Sequence, residues 1–261
     1  MHGPQDYKPR HEGPGNQHDD GFGGSKGQTC SRDDQVCGDS NLSEDWAVIP
    51  VRGLADSKTR LSSYLGERKK LLVEALLQDV LSSILQSKVY GAVLVVSPDA
   101  NVAAKARGSE VSFLRQTSFG LNRAIEQVNR LALRENALSM TTILADIPLA
   151  EPRDFRELFD LGSGDRKAVM VPSLKGGTNV MMTRPPAAIR PGYGRWSYSK
   201  HLRQAQIAGI DAYSMSNARV SFDIDTVDDL IELRRRDPEG RTASARVVCS
   251  MQPILNHARA A

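Results

Sequence analysis

The segment TTILADIPLA, residues 141–150, begins like a buried strand and places a carboxylate, Asp146, where that strand would end. Ile147 and Pro148 follow at once. An aspartate just before a proline-started turn often caps a helix. A carboxylate at the carboxyl edge of a parallel sheet lies instead where open α/β folds bind their ligands. The rest of the chain has to decide between a helix cap and a metal ligand.

Strands and helices alternate on both sides of this segment. Apolar runs predict further strands at residues 46–51, 91–97, 110–116, 167–173, 178–183 and 219–225. Apolar residues at helical spacing predict helices at 67–85, 99–106, 121–135, 151–161, 199–208 and 226–236. The strand patterns are continuous rather than alternating, which is typical of a parallel sheet buried on both faces. We therefore predict one α/β domain over residues 46–236.

The two ends of the chain have a different character. Residues 1–45 hold 8 of the 21 glycines and almost no aliphatic side chains, which predicts a disordered N-terminal extension. Residues 237–261 lose helical and strand periodicity and are expected to form a loose C-terminal tail. The sequence leaves the oligomeric state open between a monomer and a homodimer.

The composition narrows the kinds of partner. Residues 1–45 contain 4 Lys/Arg against 9 Asp/Glu, so the net charge of +3 becomes +8 for residues 46–261. Without a basic run or interleaved aromatic residues, that charge suits a small anionic ligand rather than nucleic acid. No apolar run approaches the roughly 18 residues of a membrane span. Three cysteines without metal-site spacing are read as free thiols, and a cytoplasmic location is expected: Cys30, Cys37 and Cys249.

A basic loop follows the first predicted strand. The sequence PVRGLADSKTRL places Arg52, Lys58 and Arg60 on a glycine-containing connection into a helix, which fits a phosphate-binding loop. The spacing is not that of a Walker A loop. A solvated basic loop without a ligand is the alternative.

Two later loops add further polar groups. In SFDIDTVDDL, Asp223 and Asp225 would lie on one face of a strand and could share a cation with Asp146, although Asp225 or Thr226 could instead cap the next helix. Hard carboxylate oxygens without a Cys/His cluster favour Mg²⁺. In PSLKGGTNVMM, the glycine pair would allow close approach to a ligand or simply form a hairpin turn.

The single histidine in the body of the domain is His201. A lone histidine on a helix is more often a hydrogen-bonded structural residue than a general base. Ser197 lies upstream, but no G-x-S-x-G motif accompanies it, so the sequence does not support a serine nucleophile.

The order of the motifs resembles the 2-phospho-L-lactate guanylyltransferase family of coenzyme F420 biosynthesis, which includes phosphoenolpyruvate guanylyltransferases. The resemblance covers about residues 46–235 and rests on IPVRGLADSKTRLS, SFGLNRAI, LADIPL, PSLKGGTNVMM, GYGRWSYSKHLRQA and FDIDTVDDL. It implies a nucleotide-diphospho-sugar-transferase-like (Rossmann-like) fold with a mostly parallel sheet flanked by helices. It also implies transfer of GMP from GTP to a small phosphorylated acid, with release of pyrophosphate.

The resemblance assigns roles residue by residue. It implies a metal site at Asp146, Asp223 and Asp225, with Asp146 and Asp225 in catalysis. It implies nucleotide binding by Arg52, Lys58, Arg60, Leu121 and Asn122, and acceptor binding by Thr178, Gly194 and Ser197. The sequence departs from the family in having Arg52 where a lysine is usual, and Arg195 and Trp196 where small residues are usual.

Two alternatives stay open at this point. One is another enzyme of the same fold, such as a sugar-1-phosphate nucleotidyltransferase, and the other is a non-catalytic nucleotide-binding protein. Pyrophosphate release that depends on magnesium and on the right acceptor distinguishes all three. The sequence does not select between 2-phospho-L-lactate and phosphoenolpyruvate as the acceptor.

Overall fold

A β-sheet covered by helices on both faces positions the polar loops of this chain. The computed structural model describes residues 45–54, 56–106 and 110–251. Within these residues, seven strands form one sheet in the order β3-β2-β1-β4-β6-β5-β7. The strands are β1 (Asp45–Pro50), β2 (Ala92–Ser97), β3 (Ser112–Arg115), β4 (Ser139–Ile143), β5 (Lys167–Pro172), β6 (Thr178–Arg184) and β7 (Asp211–Ser214).

The sheet is mostly parallel, as the sequence predicts. Strand β1 pairs in parallel with β2 and β4, β2 with β3, and β5 with β7. Strand β6 is the exception, because it runs antiparallel to both β4 and β5. The short turn over residues 173–177 joins β5 and β6 as a hairpin. The glycine pair therefore lies in a hairpin turn, which is one of the two alternatives that the sequence left open.

Helices cover the sheet and follow most of the predicted positions. They are α1 (Ser62–Leu65), α2 (Arg68–Ser87), α3 (Ala100–Ala106), α4 (Leu121–Arg134), α5 (Pro152–Leu161), α6 (Ser197–Ala208), α7 (Val227–Arg236) and α8 (Ala243–Ser250). A 3₁₀ turn over Thr59–Leu61 precedes α1.

The core lies on both faces of the sheet because successive strand residues point to opposite sides. In β1, Ala47 and Ile49 pack into the cluster that contains the buried faces of α2 and α5. The neighbouring Trp46 and Val48 pack on the other side with α4. Continuous apolar strands are therefore needed, which is the pattern seen in the sequence.

One predicted strand is absent, and two elements were not predicted, namely β7 and α8. Residues 219–225 do not form a strand: they run as a turn followed by a segment outside any helix or strand, and Phe222 and Ile224 pack with α7 and α8. Burial in that cluster accounts for their apolar character. The edge strand β7 was missed because its sequence, DAYS, is exposed at all four positions and carries no apolar signal.

The expected loose tail begins instead with α8. Thr242 caps this helix by accepting a hydrogen bond from the Ala245 N–H at 3.2 Å. Val248 and Met251 are buried with Ala245 against α2 and α7. The apolar pattern of eight residues was too short to predict the helix.

The predicted N-terminal extension lies outside the described residues, except for Asp45, which is the first residue of β1. Residues 252–261 of the predicted tail also lie outside them. Cys249 is a free thiol, as expected. No helix of the described part of the chain has the combined length and apolar character that a bilayer crossing demands.

Candidate functional site

Two adjoining cavities lie at the carboxyl ends of the central strands. The first cavity, of about 310 Å³, is lined mainly by residues 50–52, 56–60, 116, 119–121 and 144–146. The second cavity, of about 680 Å³, is lined mainly by residues 173, 175, 177–179, 193–197 and 223. Both share Arg60, Leu121, Leu144, Asp146 and Asp225. Two ligands bound in these cavities would therefore meet at the carboxylates.

Asp146 lies three residues beyond the end of β4 and faces both cavities. It does not cap a helix, because α5 begins at Pro152 with Glu151 and Asp154 forming its capping box. The Asp146 Oδ1 atom is buried without a hydrogen-bond partner. The alternative of a helix cap at Asp146 is therefore wrong, and its carboxylate is left for the site.

Asp223 and Asp225 reach the same place from the segment before α7. The Ile224 N–H donates to the Asp146 backbone oxygen at 3.0 Å, which holds this segment against the end of β4. Asp225 is not the helix cap, because Thr226 caps α7 in a capping box with Asp229. Both carboxylates line the second cavity, so the structure brings the three predicted acids together.

Lys58 lies between two of these acids. Its Nζ donates a hydrogen bond to Asp225 Oδ1 at 2.9 Å and another to Asp146 Oδ2. Its backbone is left-handed, with φ of 53°, at the start of the 3₁₀ turn. Burial acts to lower the pKa of Lys58, but the charges of Asp146 and Asp225 outweigh it and raise that pKa. The ammonium group is therefore a fixed positive charge at the junction of the two cavities.

The acids differ in their ionisation. Burial raises the pKa of Asp223, and the neighbouring Asp146 carboxylate adds to the rise. Burial acts on Asp225 in the same direction, but the Lys58 ammonium outweighs it and lowers the pKa of Asp225. Ser173 Oγ donates to Asp223 Oδ1 at 2.6 Å and holds that carboxylate in place. Asp225 is accordingly the more firmly ionised of the two.

Lys175 is a site residue that the sequence analysis missed. It lies in the β5–β6 turn, and its Nζ is 2.7 Å from Asp229 Oδ2, 3.7 Å from Asp225 Oδ2 and 3.8 Å from Asp223 Oδ2. The only signal for it was a lysine beside the Gly176–Gly177 pair in a motif already quoted. With Lys58 it places two ammonium groups among the carboxylates.

The other predicted nucleotide-binding residues are divided between two roles. Arg52 and Arg60 are exposed and line the first cavity, and Leu121 lines both cavities. Asn122 instead uses its amide on the loop before α6: Nδ2 donates to the Tyr193 carbonyl at 3.1 Å, and Oδ1 accepts from the Tyr193 N–H at 2.8 Å. That amide therefore holds the loop before α6, and the contact of Asn122 with a nucleotide stays a prediction.

The predicted acceptor-binding residues lie together in the second cavity. Thr178 begins β6 and Ser197 begins α6, and the Ser197 hydroxyl donates to Thr178 Oγ1 at 3.2 Å. Gly194 also lines this cavity, with φ of 127° that an L side chain would strain. The structure therefore brings all three residues to one wall.

Arg195 and Trp196, two of the three residues that depart from the pattern of the resembled family, also line the second cavity. The Trp196 indole lies against Gly176, where an added Cβ would come within 2.7 Å of the ring. Gly176 has φ of 80°, so both its conformation and this contact require glycine. The Arg195 guanidinium lies 5.6 Å from the Trp196 ring centroid.

His201 is a hydrogen-bonded structural residue, as the sequence analysis favoured. Its ring is fully buried; Nδ1 lies 3.0 Å from Thr178 Oγ1, and Nε2 accepts from the Gly192 N–H at 2.9 Å. Burial lowers the pKa of His201 to about 4, and the nearby Lys200 charge adds to the effect. With both nitrogens occupied, the ring is not available as a general base.

A magnesium site is compatible with these residues but is not preformed. Within residues 45–54, 56–106 and 110–251, no group of three or more His, Cys, Asp or Glu has the spacing to hold a metal ion. Mg²⁺ is usually held by one or two carboxylates together with substrate phosphates and water, so a complete protein cage is not required. The unpartnered Asp146 Oδ1 is an oxygen that a cation would satisfy. The carboxylates therefore fit an ion that arrives with a phosphate.

Comparison with solved structures supports the fold. A nucleotide-diphospho-sugar transferase-like protein from Desulfovibrio desulfuricans G20 superposes with a TM-score of 0.69 and 20% identity, over 83% of this chain and 98% of that chain. A nucleotidyl transferase from Methanothermobacter thermautotroptrophicus gives a TM-score of 0.58 at 14% identity, over 76% of this chain and 99% of that chain. The predicted fold class is confirmed.

Comparison with sequences supports the family. The phosphoenolpyruvate guanylyltransferase of Rubrobacter xylanophilus is 36% identical over 72% of this chain and 92% of its own length. The 2-phospho-L-lactate guanylyltransferase of Methanocaldococcus vulcanius is 31% identical over 71% of this chain and 82% of its own length. The family model described as "Guanylyl transferase CofC like" matches residues 46–242. The chain, with its three acids and basic loop around two joined cavities, therefore belongs to the CofC-like guanylyl transferase family.

Proposed function

We propose that this protein transfers GMP from GTP to a small phosphorylated carboxylic acid and releases pyrophosphate, as a step of coenzyme F420 biosynthesis. The observation that carries the proposal is the meeting of two cavities at Asp146 and Asp225, in a chain of the CofC-like family. The first cavity is lined by the basic loop, and the second by the hydroxyl groups of Thr178 and Ser197 and by two glycines. GTP in the first cavity and the acid in the second would meet at the carboxylates.

The bond changes are those of a nucleotidyl transfer. A phosphate oxygen of the acid attacks the α-phosphorus of GTP, and the bond from that phosphorus to the bridging oxygen of the β-phosphate breaks. An acceptor phosphate is mostly ionised at neutral pH, because its second pKa is about 6. The nucleophile needs no strong base, which agrees with a histidine whose two nitrogens are already hydrogen-bonded.

The residues of the chain would act by positioning and by charge. Arg52, Lys58 and Arg60 line the first cavity and would balance the charge of the triphosphate, while Thr178 and Ser197 line the second cavity and would hold the acid. Asp146, Asp223 and Asp225 are the residues that would hold Mg²⁺. When bound, this ion would neutralise charge at the α-phosphate and on the leaving pyrophosphate.

Phosphoenolpyruvate is the first acceptor to test. The Rubrobacter xylanophilus relative carries that substrate in its name and, at 36% identity, is more similar to this chain than the Methanocaldococcus vulcanius relative at 31%. Phosphoenolpyruvate has a planar methylene group where 2-phospho-L-lactate has a tetrahedral carbon that bears a methyl group. A small apolar difference of this kind usually changes the free energy of substrate discrimination by only about 1–3 kcal/mol. Partial activity with 2-phospho-L-lactate is therefore expected. The free thiol of Cys249 agrees with a reducing cytosol, which is the location that we propose.

Pyrophosphate release tests the proposal directly. Purified protein with MgCl₂ and GTP should release pyrophosphate when phosphoenolpyruvate or 2-phospho-L-lactate is added, and much less when the acid is omitted. ³¹P NMR should show a new phosphoanhydride in the product. ATP should be poorer than GTP, because polar groups that pair with guanine would be left unpaired with adenine. Activity with a sugar 1-phosphate but with neither acid would favour the alternative nucleotidyltransferase, and no release with any acceptor would favour a binding protein.

A further inference from the structure

The buried histidine His201 reaches the second cavity only through another side chain. It lies on α6 with its ring fully buried, and the ring of Tyr193 packs edge-on against it with centroids 4.9 Å apart. Its Nε2 is held by the Gly192 N–H, and its Nδ1 is held at Thr178 Oγ1. Tyr193 also lines this cavity, but its contact with His201 is through the rings, so the hydrogen-bonded connection from the histidine side chain to the cavity is the one through Thr178.

The Gly192 N–H fixes the tautomer of this ring. A backbone N–H can only donate, so the Nε2 that it contacts must be unprotonated. The neutral ring then carries its one proton on Nδ1. Nδ1–H donates to Thr178 Oγ1 rather than accepting from it.

The tautomer decides how many protons remain for a ligand. Thr178 Oγ1 accepts from His201 Nδ1–H and from the Ser197 hydroxyl, so both of its lone pairs are used and its own proton is left over. With the other tautomer, Thr178 would donate to Nδ1 and Ser197 would donate to Thr178. Neither hydroxyl would then have a proton for the cavity.

We propose that His201 is a positioning residue, which keeps the Thr178 hydroxyl as a hydrogen-bond donor toward an anionic oxygen of the acid in the second cavity. A carboxylate or phosphate oxygen can only accept, so it binds a hydroxyl with a free proton and not one whose proton is engaged elsewhere. Arg60, Lys175 and Arg195 in the same lining agree with an anionic ligand. This inference rests on the proposed function.

Two substitutions of similar size separate the positioning role from a purely structural one. His201→Asn places an amide near the position of Nδ1 and can keep a donor to Thr178, whereas His201→Gln reaches the position of Nε2 and loses that donor. Each variant gives up one of the two ring hydrogen bonds. We expect the KM for phosphoenolpyruvate to rise about 10- to 100-fold in His201→Gln, the scale of one hydrogen bond to a charged group. The KM for GTP should not change, and His201→Asn should stay close to the wild type.

A double substitution tests whether the effect passes through Thr178. Thr178→Val removes the hydroxyl and keeps the shape of the side chain. In that background, His201→Gln should cause no further rise in the KM for the acid, because the proton that it orients is gone. Additive effects would overturn the inference, as would equal KM values for His201→Asn and His201→Gln.

The wild-type protein provides a test that needs no variant to fold and no turnover. Long-range ¹H–¹⁵N NMR of the ring, assigned by its cross-relaxation with the Gly192 amide, should show the Nδ1–H tautomer. An Nε2–H tautomer would contradict the proposal. Absence of pyrophosphate release by the wild type with either acid would instead remove the proposed function, so the two failures are distinguishable.

Discussion

Lys58 is expected to compete with a metal ion for the same carboxylates. Its ammonium group donates to both Asp146 and Asp225, and its side chain is only 11% exposed. An ion that binds before the nucleotide must displace this charge, whereas GTP can draw the lysine onto its phosphates. Lys58→Met removes the charge and keeps most of the volume, so it should let the ion bind without nucleotide.

The size of the effect follows from the distance. The charge pair between Lys58 Nζ and Asp225 Oδ1 is 2.9 Å long. With the dielectric constant of water, a pair at this distance is worth about 1.4 kcal/mol. Since about 1.4 kcal/mol corresponds to a factor of ten in a binding constant, Mn²⁺ should bind Lys58→Met about tenfold more tightly than the wild type in the absence of GTP.

Calorimetric or EPR titration with Mn²⁺, in the absence of nucleotide, measures this affinity. Arg60→Met is the matched control, because it removes one positive charge from the same cavity. The ion pairs described for Asp146 and Asp225 are with Lys58 and Lys175, not with Arg60. Unchanged affinity in Lys58→Met would refute the reasoning, and so would equal tightening in Arg60→Met, since overall charge would then explain it.

Three further outcomes are expected. Asp146→Asn should lower kcat at least about a hundredfold with an unchanged melting temperature, and a wild-type rate would exclude the metal role. Asp154→Ala removes a fully buried carboxylate paired with Arg219 and should lower the urea-derived free energy of unfolding by about 3 kcal/mol, against no change in the exposed control Glu239→Ala. A decrease of less than about 1 kcal/mol in the free energy of unfolding of Asp154→Ala would contradict the importance of the pair with Arg219. Because the pKa of His201 is about 4 in the folded protein and about 6.5 when unfolded, only the unfolded chain binds its proton between these values. The free energy of unfolding of the wild type should therefore fall as the pH falls from 6.5 to 4. This decrease should be larger than the decrease in His201→Asn by up to about 3 kcal/mol. Parallel pH curves would show that the ring is not held neutral.

The alternation of strands and helices could be read from the sequence because it is written in local periodicity. Ala47 and Ile49 face one side of the sheet and Trp46 and Val48 the other, so β1 had to be apolar throughout. Asp146 could be placed at a sheet edge for the same reason, since a strand pattern ends where its apolar run ends. These features depend on neighbours within a few positions of the chain.

The missed and misassigned elements depend on partners far away in the chain. Phe222 and Ile224 are apolar because they pack with α7 and α8, not because they belong to a strand. The DAYS segment forms β7 only because the edge of β5 offers it hydrogen bonds. The edge strand β7 is exposed and polar, which is the pattern expected of a loop. The segment 219–225 has buried apolar residues, which is the pattern expected of a strand.

The sequence by itself determined the residue types of the site, namely three acids, a basic loop and a hydroxyl pair. The tertiary structure decided which of them touch. It set Lys58 between Asp146 and Asp225, which are 88 and 167 positions away, and it engaged Asn122 with Tyr193, 71 positions away. The physical reason is that hydrogen bonds and ion pairs act over a few ångströms, and only the packing of the whole domain brings such distant residues that close.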